Sequence, residues 1–179
     1  MTPRQTLTPA DRTLLDALVR ELAPRLLAYV YRVLGSSDAA EDVVAETICR
    51  AAENIATLRA ADRPDLYLVT VARNLCRDRW RRKQPESWTD EQLVERPSTW
   101  ADPPRELEEN ERFAALRAAI DTLPESLREV VVLRSSVGLS FEEIAGLLQI
   151  PLGTALSRMH SATQKLRTLL ESEHARPKR

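Results

Sequence analysis

The alternation of apolar and polar positions towards the end of the chain predicts two helices joined by a tight turn. Ser140 and Glu143 have the spacing of a capping box, in which each side chain bonds the backbone amide of the other residue. A helix should therefore begin at Phe141. It should end before Pro151, because a proline lacks an amide hydrogen and restricts the residue before it.

The second of these helices has one apolar face and one polar face. Its apolar positions recur at steps of four, three and four, at Ala155, Met159, Ala162 and Leu166. No acid occurs from residue 151 to residue 170. This pattern indicates a helix-turn-helix with its recognition helix second, and a purely structural helical hairpin is the alternative. The polar face carries Thr154, Ser157, Arg158, Ser161, Gln164 and Lys165.

The first half of the chain shows further helical periodicity. A first helix is predicted from Asp11 to a stop at Gly35, with a kink or a break at Pro24. A second should follow to about residue 56, residues 57–63 should form a connection, and a third helix should span about 65–83. These helices make an N-terminal bundle over residues 11–83.

Residues 84–104 read as a linker, because prolines, serines and acids are scattered through them without periodicity. Trp88 and Trp100 are unusual in such a segment. A four-helix domain should follow over residues 105–172, with Pro124 opening its second helix and Gly138 closing it. The expected fold class is therefore all-α, with two small helical domains joined by an acidic, proline-containing linker.

Composition agrees with a soluble helical protein. The 179 residues are 43% hydrophobic and 30% charged, with 4% aromatic residues and 4 glycines. We expect a cytoplasmic protein, since no apolar run approaches the roughly 18 residues of a membrane span and no signal-peptide core is seen. Cys49 and Cys76 have no metal-ligand spacing and are expected to be reduced. No catalytic, metal or cofactor constellation is apparent.

Charge is segregated along the chain although the net charge is only −1. Residues 73–83 hold six cations against one acid, and residues 84–111 hold nine acids against two cations. One or two cations would balance the helix dipole. Six cations beside Trp80 therefore favour phosphate contact combined with base stacking. An acidic stripe at Asp42, Glu46 and Glu53 is either a solvated face or a docking face for a basic partner.

Two strings of residues resemble a known family. LPESLREVVVLRSSVGLSFEEIAGLLQIPLGTALSRMHSATQKLR, from Leu123 to Arg167, resembles the promoter-reading region four of bacterial sigma factors of the extracytoplasmic-function type. AEDVV, from Ala40, together with VARNL, from Val71, and DRWRR, from Asp78, resembles region two of the same family. The two regions occur in the family's order.

The resemblance implies a dissociable specificity subunit of bacterial RNA polymerase, with promoter DNA and an anti-sigma protein as further partners. Such a protein would be a monomer when free and would need neither cofactor nor catalysis of its own. Recognition of the minus-35 element would use Thr154, Ser157, Arg158, Ser161 and Lys165. Contacts to the minus-10 element would come from Arg59, Tyr67, Arg73, Asn74, Arg77, Trp80, Arg81 and Arg82. Polymerase would be bound through Asp42, Ala45, Glu46 and Cys49.

The chain departs from the family pattern at several positions. The loop expected over residues 58–64, which would capture a flipped base, lacks the usual aromatics. Ala45 replaces a common glutamine on the polymerase-facing helix. In the recognition helix, Leu156 stands where basic residues are frequent, and it could touch a thymine methyl or bind a protein.

Two other functions remain open from the sequence. A sigma-like module could titrate an anti-sigma protein without reading promoters, and the scarcity of cations in the recognition helix motivates this reading. A helix-turn-helix repressor with a dimerising N-terminal half is the second. It would bind a palindrome as a dimer without polymerase, whereas a sigma factor would bind duplex DNA poorly alone. An enzyme is the least favoured class.

Overall fold

A computed structural model describes residues 7–82 and 111–174. The chain divides into two compact units, one on each side of the undescribed stretch. Every regular element in the described ranges is helical. The prediction of an all-α protein with two helical domains is therefore confirmed. The linker assigned to residues 84–104, with Trp88 and Trp100, lies outside the described residues.

Residues 7–82 of the N-terminal unit form four helices. They are α1 (Pro9–Leu34), α2 (Ser37–Glu53), α3 (Ile55–Ala60) and α4 (Pro64–Arg82). Helix α1 packs against α2 and α4, and α2 packs against α4. The buried apolar residues where these helices meet include Leu26, Val30, Val43, Val69 and Ala72.

Helix α1 starts earlier than its apolar periodicity indicated and does not break at its proline. Thr8 and Asp11 form a capping box, with the Asp11 amide 3.3 Å from Thr8 Oγ1 and the Thr8 amide 2.9 Å from Asp11 Oδ2. Of the kink or break predicted at Pro24, the break does not occur, because the helix runs through this residue to Leu34. It ends as predicted at Gly35, which has φ 69° and donates its amide to the Tyr31 carbonyl at 2.7 Å.

The predicted connection at residues 57–63 is wrong over its first half. Helix α2 ends at Glu53, because the φ of −111° and ψ of 38° at Asn54 leave the helical region, and α3 starts at Ile55. Ile55 and Leu58 lie on one side of this short helix and are 3% and 0% exposed. Burial of two apolar side chains therefore makes part of the presumed loop a helical turn.

Within residues 111–174, the C-terminal unit also contains four α-helices. They are α5 (Glu111–Asp121), α6 (Glu125–Val132), α7 (Phe141–Leu148) and α8 (Leu152–His174). Residues Leu133–Val137 continue α6 as one π-helical turn. Helix α8 packs against α5, α6 and α7 and so forms the centre of the unit.

Arg128 is buried inside this unit, with 1% of its surface exposed. Its guanidinium donates to three carbonyls at the end of α5: Nε lies 3.2 Å from Ile120 O, and Nη2 lies 2.6 Å from both Asp121 O and Leu123 O. A cation at the carboxyl end of a helix can bond the last carbonyls of that helix, and here Ile120 O also accepts from the Leu123 amide at 3.1 Å. Burial lowers the pKa of Arg128, and the charges of Asp121 and Glu125 oppose that change.

No helix within residues 7–82 and 111–174 is long and apolar enough to cross a membrane. In the same ranges, no three side chains of the His, Cys, Asp or Glu type group together as metal ligands could. Cys76 is buried, and burial raises the pKa of its thiol to about 12, whereas Cys49 is exposed.

Candidate nucleic-acid and polymerase interfaces

The turn between α7 and α8 is built by local backbone bonds. At the start of α7, the Ser140 amide lies 2.6 Å from Glu143 Oε2 and the Glu143 amide lies 3.2 Å from Ser140 Oγ, as the capping box predicts. Helix α7 ends at Gln149, which has a left-handed φ of 55°. The amide of Ile150 then bonds the Ala145 carbonyl at 3.0 Å, a closure typical of helices that end in this conformation.

Pro151 begins the next helix rather than merely ending the last one. Its carbonyl accepts from the amides of Thr154 at 2.9 Å and Ala155 at 3.1 Å, so it caps α8. Arg134 braces the entry to α7, since Nη1 lies 2.8 Å from Leu139 O and its guanidinium carbon lies 5.4 Å from the Phe141 ring centre. The capping box at Ser140, the contacts of Arg134 and the turn before Pro151 together define a helix-turn-helix. Helix α8 takes the place of the recognition helix.

The residues predicted to read DNA lie on the outer side of α8, but at different depths. Ala155 and Ala162 are fully buried, which confirms the inner face. Among the predicted contacts, Ser157 and Lys165 are exposed, whereas Thr154, Arg158 and Ser161 are half-buried. The exposed residues of this polar face therefore point to solvent, and the half-buried ones lie closer to the helices packed against α8.

Sequence reasoning missed His160, which is also exposed on α8. One ring nitrogen of His160, Nε2, lies 2.9 Å from Gln164 Nε2. The spacing of His160 from Ser157 and Gln164, three and four residues, was the signal that could have placed it on the outer face.

A second polar surface follows the length of α4. Tyr67, Asn74, Arg77 and Arg81 recur at helical spacing and so share one side of the helix. Asn74, Arg77 and Arg81 are exposed, and Tyr67 and Arg73 are half-buried. The structure thus brings five of the eight predicted minus-10 residues to one helix surface, which we call the α4 stripe. Trp80 and Arg82 belong to the same helix, but their side chains lie outside the described part of the structure.

Arg59 has a different setting from the α4 stripe. It lies on α3, and its Nη2 donates to Asp11 Oδ1 near the start of α1. Hydrogen bonds from Thr8 and then from Arg59 lower the pKa of Asp11 to about 2. More than half of the Arg59 side chain, 58%, is exposed. Arg59 therefore links α3 to the N-terminal cap and still presents a cationic surface.

The predicted polymerase-binding residues share one face of α2. Asp42, Ala45, Glu46 and Cys49 follow one another at steps of three, one and three, and Asp42, Ala45 and Cys49 are exposed while Glu46 is half-buried. We call this the α2 face. Its acids are already paired in part, since Arg50 Nη2 lies 2.7 Å from Glu46 Oε1.

The cations at the basic end of α4 point in two directions, with Arg77 and Arg81 exposed and Arg79 against α2. A count of cations could not show this difference. Arg79 turns towards α2, where its Nη1 donates to Ala39 O at 3.2 Å. The same guanidinium lies 3.7 Å from Asp42 Oδ2 and 3.5 Å from Glu46 Oε2. Arg79 therefore connects the α2 face to the helix that carries the α4 stripe.

Comparisons with known proteins agree with this division. Residues 18–86 match the family description Sigma-70 region 2, and residues 113–166 match Sigma-70, region 4. The chain is 33% identical over 147 residues to the ECF RNA polymerase sigma factor EcfG of Rhodopseudomonas palustris, covering 82% of this chain and 80% of that protein. The chain belongs to the ECF family of RNA polymerase sigma factors.

Other sigma factors of this family show similar likeness. The Bacillus subtilis ECF sigma factor SigW is 33% identical over 149 residues, which cover 78% of this chain and 80% of SigW. Among solved structures, the sigma factor RpoE of Bartonella quintana, in complex with the anti-sigma factor NepR, matches with a TM-score of 0.65. That match is 21% identical, covers 92% of this chain and 98% of RpoE, and supports the fold alone.

Family membership decides between the readings left open by the sequence. A dimeric helix-turn-helix repressor would not account for a region 2 match in the N-terminal unit, and that function is not favoured. A module that only titrates an anti-sigma protein is not favoured either, because sigma factors match over most of the chain. Sigma factors are transcription initiation factors and not catalysts.

Proposed function

We propose that this ECF sigma factor joins core RNA polymerase to its promoters through three surfaces on two separately folded units. The N-terminal unit, residues 11–83, binds polymerase and the minus-10 element. The C-terminal unit, residues 105–172, reads the minus-35 element, and residues 84–104 form the acidic linker between them. The protein acts in the cytoplasm, where polymerase and promoter DNA are found.

Polymerase binding is assigned to the α2 face. Its two acids stand beside an exposed alanine and an exposed cysteine, so the face combines negative charge with small side chains that let a basic partner helix approach. The bridges from Arg79 and Arg50 are between partly exposed side chains. Bridges of this kind contribute roughly 0.2–1 kcal/mol each, so a basic partner can displace them at low cost.

Opening of the minus-10 element is assigned to the α4 stripe. Arg77 and Arg81 supply cations for phosphates, Asn74 supplies a donor and an acceptor, and Tyr67 supplies an aromatic ring. Cations beside an aromatic ring on one surface are typical of contacts to single-stranded nucleic acid, because the cations meet phosphates and the ring can stack on a base. Arg59 adds a further cation from α3.

Minus-35 recognition is assigned to the outer side of α8. Exposed Ser157 and Lys165 and half-buried Thr154, Arg158 and Ser161 provide hydroxyl and cationic donors without an acid among them. The helix-turn-helix geometry carries this proposal, because it projects the start of α8 from a rigid unit as a major groove requires.

An anti-sigma protein is proposed as the regulator. The sigma factor RpoE, whose fold this chain shares, is in complex with the anti-sigma factor NepR. Such a partner would cover the exposed faces of both units and so prevent polymerase and DNA from binding them. Without it, we expect the free protein to be a monomer.

A test of the minus-10 proposal uses holoenzyme assembled with Arg77→Ala or with the matched control Arg12→Ala, an exposed arginine on α1. Permanganate reactivity of unpaired thymines reports strand opening. The Arg77 variant should open the duplex less than the control, and a template with a permanently unpaired minus-10 segment should restore transcription. Equal opening by both variants would contradict the assignment of the α4 stripe.

A further inference from the structure

Two leucines at the start of α8 are exposed although the helix has a well-packed inner face. Leu152 is 40% exposed and Leu156 is 46% exposed, whereas Ala155 and Ala162 are fully buried. Residues four apart lie one above the other on a helix. The pair therefore forms one apolar strip in the first turns of α8, the part of the helix that the helix-turn-helix projects.

The surroundings of this strip suit a polyanion rather than another apolar protein surface. Gly153 lies between the leucines in sequence, and a Cβ placed on it would meet nothing within 4 Å. The backbone is therefore open to close approach at this point. The rest of the outer side carries hydroxyls, an amide and cations, with no acid before Glu171.

The strip is also too small to hold a protein partner by itself. A stable protein interface buries about 800 Å² on each partner, and two partly exposed leucines provide only a small part of that area. In the major groove the requirement is different, because the C5-methyl of thymine is the apolar group that distinguishes one base from the others. A single leucine can cover such a methyl.

We infer that Leu156, supported by Leu152, packs against a thymine methyl in the minus-35 element and so selects a T·A pair at that position. This inference rests on the proposed use of α8 as the recognition helix. It assigns specificity at one base to an apolar contact, while Ser157 and Arg158, next in sequence, supply polar contacts. The apolar contact would thereby give the recognition helix selectivity for one base pair although the helix carries few cations.

The test replaces thymine by deoxyuridine, which removes the methyl and keeps the base-pairing groups. Holoenzyme first enriches duplexes from a random-sequence library, and the shared minus-35 element is identified. Each thymine of that element is then replaced singly, and holoenzyme affinity is measured with the unchanged chain, with Leu156→Ala and with Leu169→Ala. Leu169 is the matched control, because it is 38% exposed and lies about 20 Å further along α8.

The unchanged chain and the Leu169 variant should each lose about fourfold in affinity at one replaced thymine, the factor for one buried methyl group. Leu156→Ala should show no loss at that thymine. The inference is overturned if uridine replacement affects all three proteins equally or none. It is also overturned if Leu156→Ala weakens binding of an anti-sigma protein while thymine discrimination is unchanged. If no minus-35 element is enriched at all, the proposed function of α8 fails and this inference fails with it.

Discussion

Replacing Arg128 should destabilise the C-terminal unit more than any exposed charge in it. In Arg128→Met the side chain keeps similar bulk but loses its hydrogen bonds to Ile120 O, Asp121 O and Leu123 O. Each hydrogen bond from a charged group contributes about 1.5–3 kcal/mol. The three bonds are opposed by the cost of burying the guanidinium, which is several kcal/mol.

We therefore expect a net loss of about 3 kcal/mol in the free energy of unfolding. For a domain of this size, each kcal/mol lowers Tm by roughly 4–8 °C, so Tm should fall by roughly 12–24 °C. Arg167→Met is the matched control, because Arg167 is exposed on α8, and it should change stability by less than about 0.5 kcal/mol.

Thermal unfolding of the full chain, followed by circular dichroism, measures the change. Hydrogen exchange of peptides from α5 and α6 assigns it to the C-terminal unit. If Arg128→Met unfolds at the temperature of the Arg167 control, the guanidinium does not hold the end of α5. In that case Arg128 would need another role in the segment that resembles region four.

Charge changes on α8, on the α2 face and at Asp11 should each have a measurable effect. Arg158→Ala should cost about 1–3 kcal/mol in promoter affinity and lower run-off transcription without changing polymerase assembly, and unchanged transcription would argue against major-groove reading at this residue. The double variant Asp42→Lys with Glu46→Lys should co-purify less with polymerase. Its free energy of unfolding should fall by less than about 2 kcal/mol, because the bridges it removes are partly exposed. Undiminished co-purification would make the α2 face a solvated surface. Asp11 has its pKa lowered from 3.8 to about 2, so its stabilising effect is complete above pH 3.8 and is lost as pH falls towards 2. Unfolding midpoints should therefore depend less on pH in this range for Asp11→Asn than for the unchanged chain, and parallel curves would contradict the prediction.

Local signals allowed the helix-turn-helix to be predicted from the sequence. The capping box at Ser140 and Glu143 and the stop before Pro151 each depend on neighbours within a few residues, and the structure contains both. The apolar face of α8 was also evident, because burial of Ala155 and Ala162 follows from helical periodicity. The function proposed for this site rests on the family resemblance as well as on these patterns.

Features that depend on distant parts of the chain could not be predicted in the same way. The direction of Arg79 is set by α2, which lies about forty residues earlier in the sequence. Arg59 pairs with Asp11 on α1 at a separation of 48 residues. The burial of Arg128 depends on how α5 ends. A count of cations treats such arginines as equivalent, whereas tertiary packing gives each a different partner.

The end of α2 illustrates a second kind of feature that the sequence does not predict. The apolar periodicity continues through Ile55 and so predicts a helix to about residue 56, followed by a connection over residues 57–63. Asn54 instead leaves the helical region and α3 restarts at once. The apolar pattern indicates which residues are buried, but it does not show where the backbone changes direction between them.

Run-off transcription with core polymerase and a library of promoter templates tests the central claim most directly. Adding this chain should produce transcripts from a subset of templates that share two sequence elements about two helical turns apart. The Arg158 variant should lose selection for the upstream element, and the Arg77 variant should open the downstream element poorly. Transcripts that are the same with and without the chain, or templates that share no such pair of elements, would contradict the account.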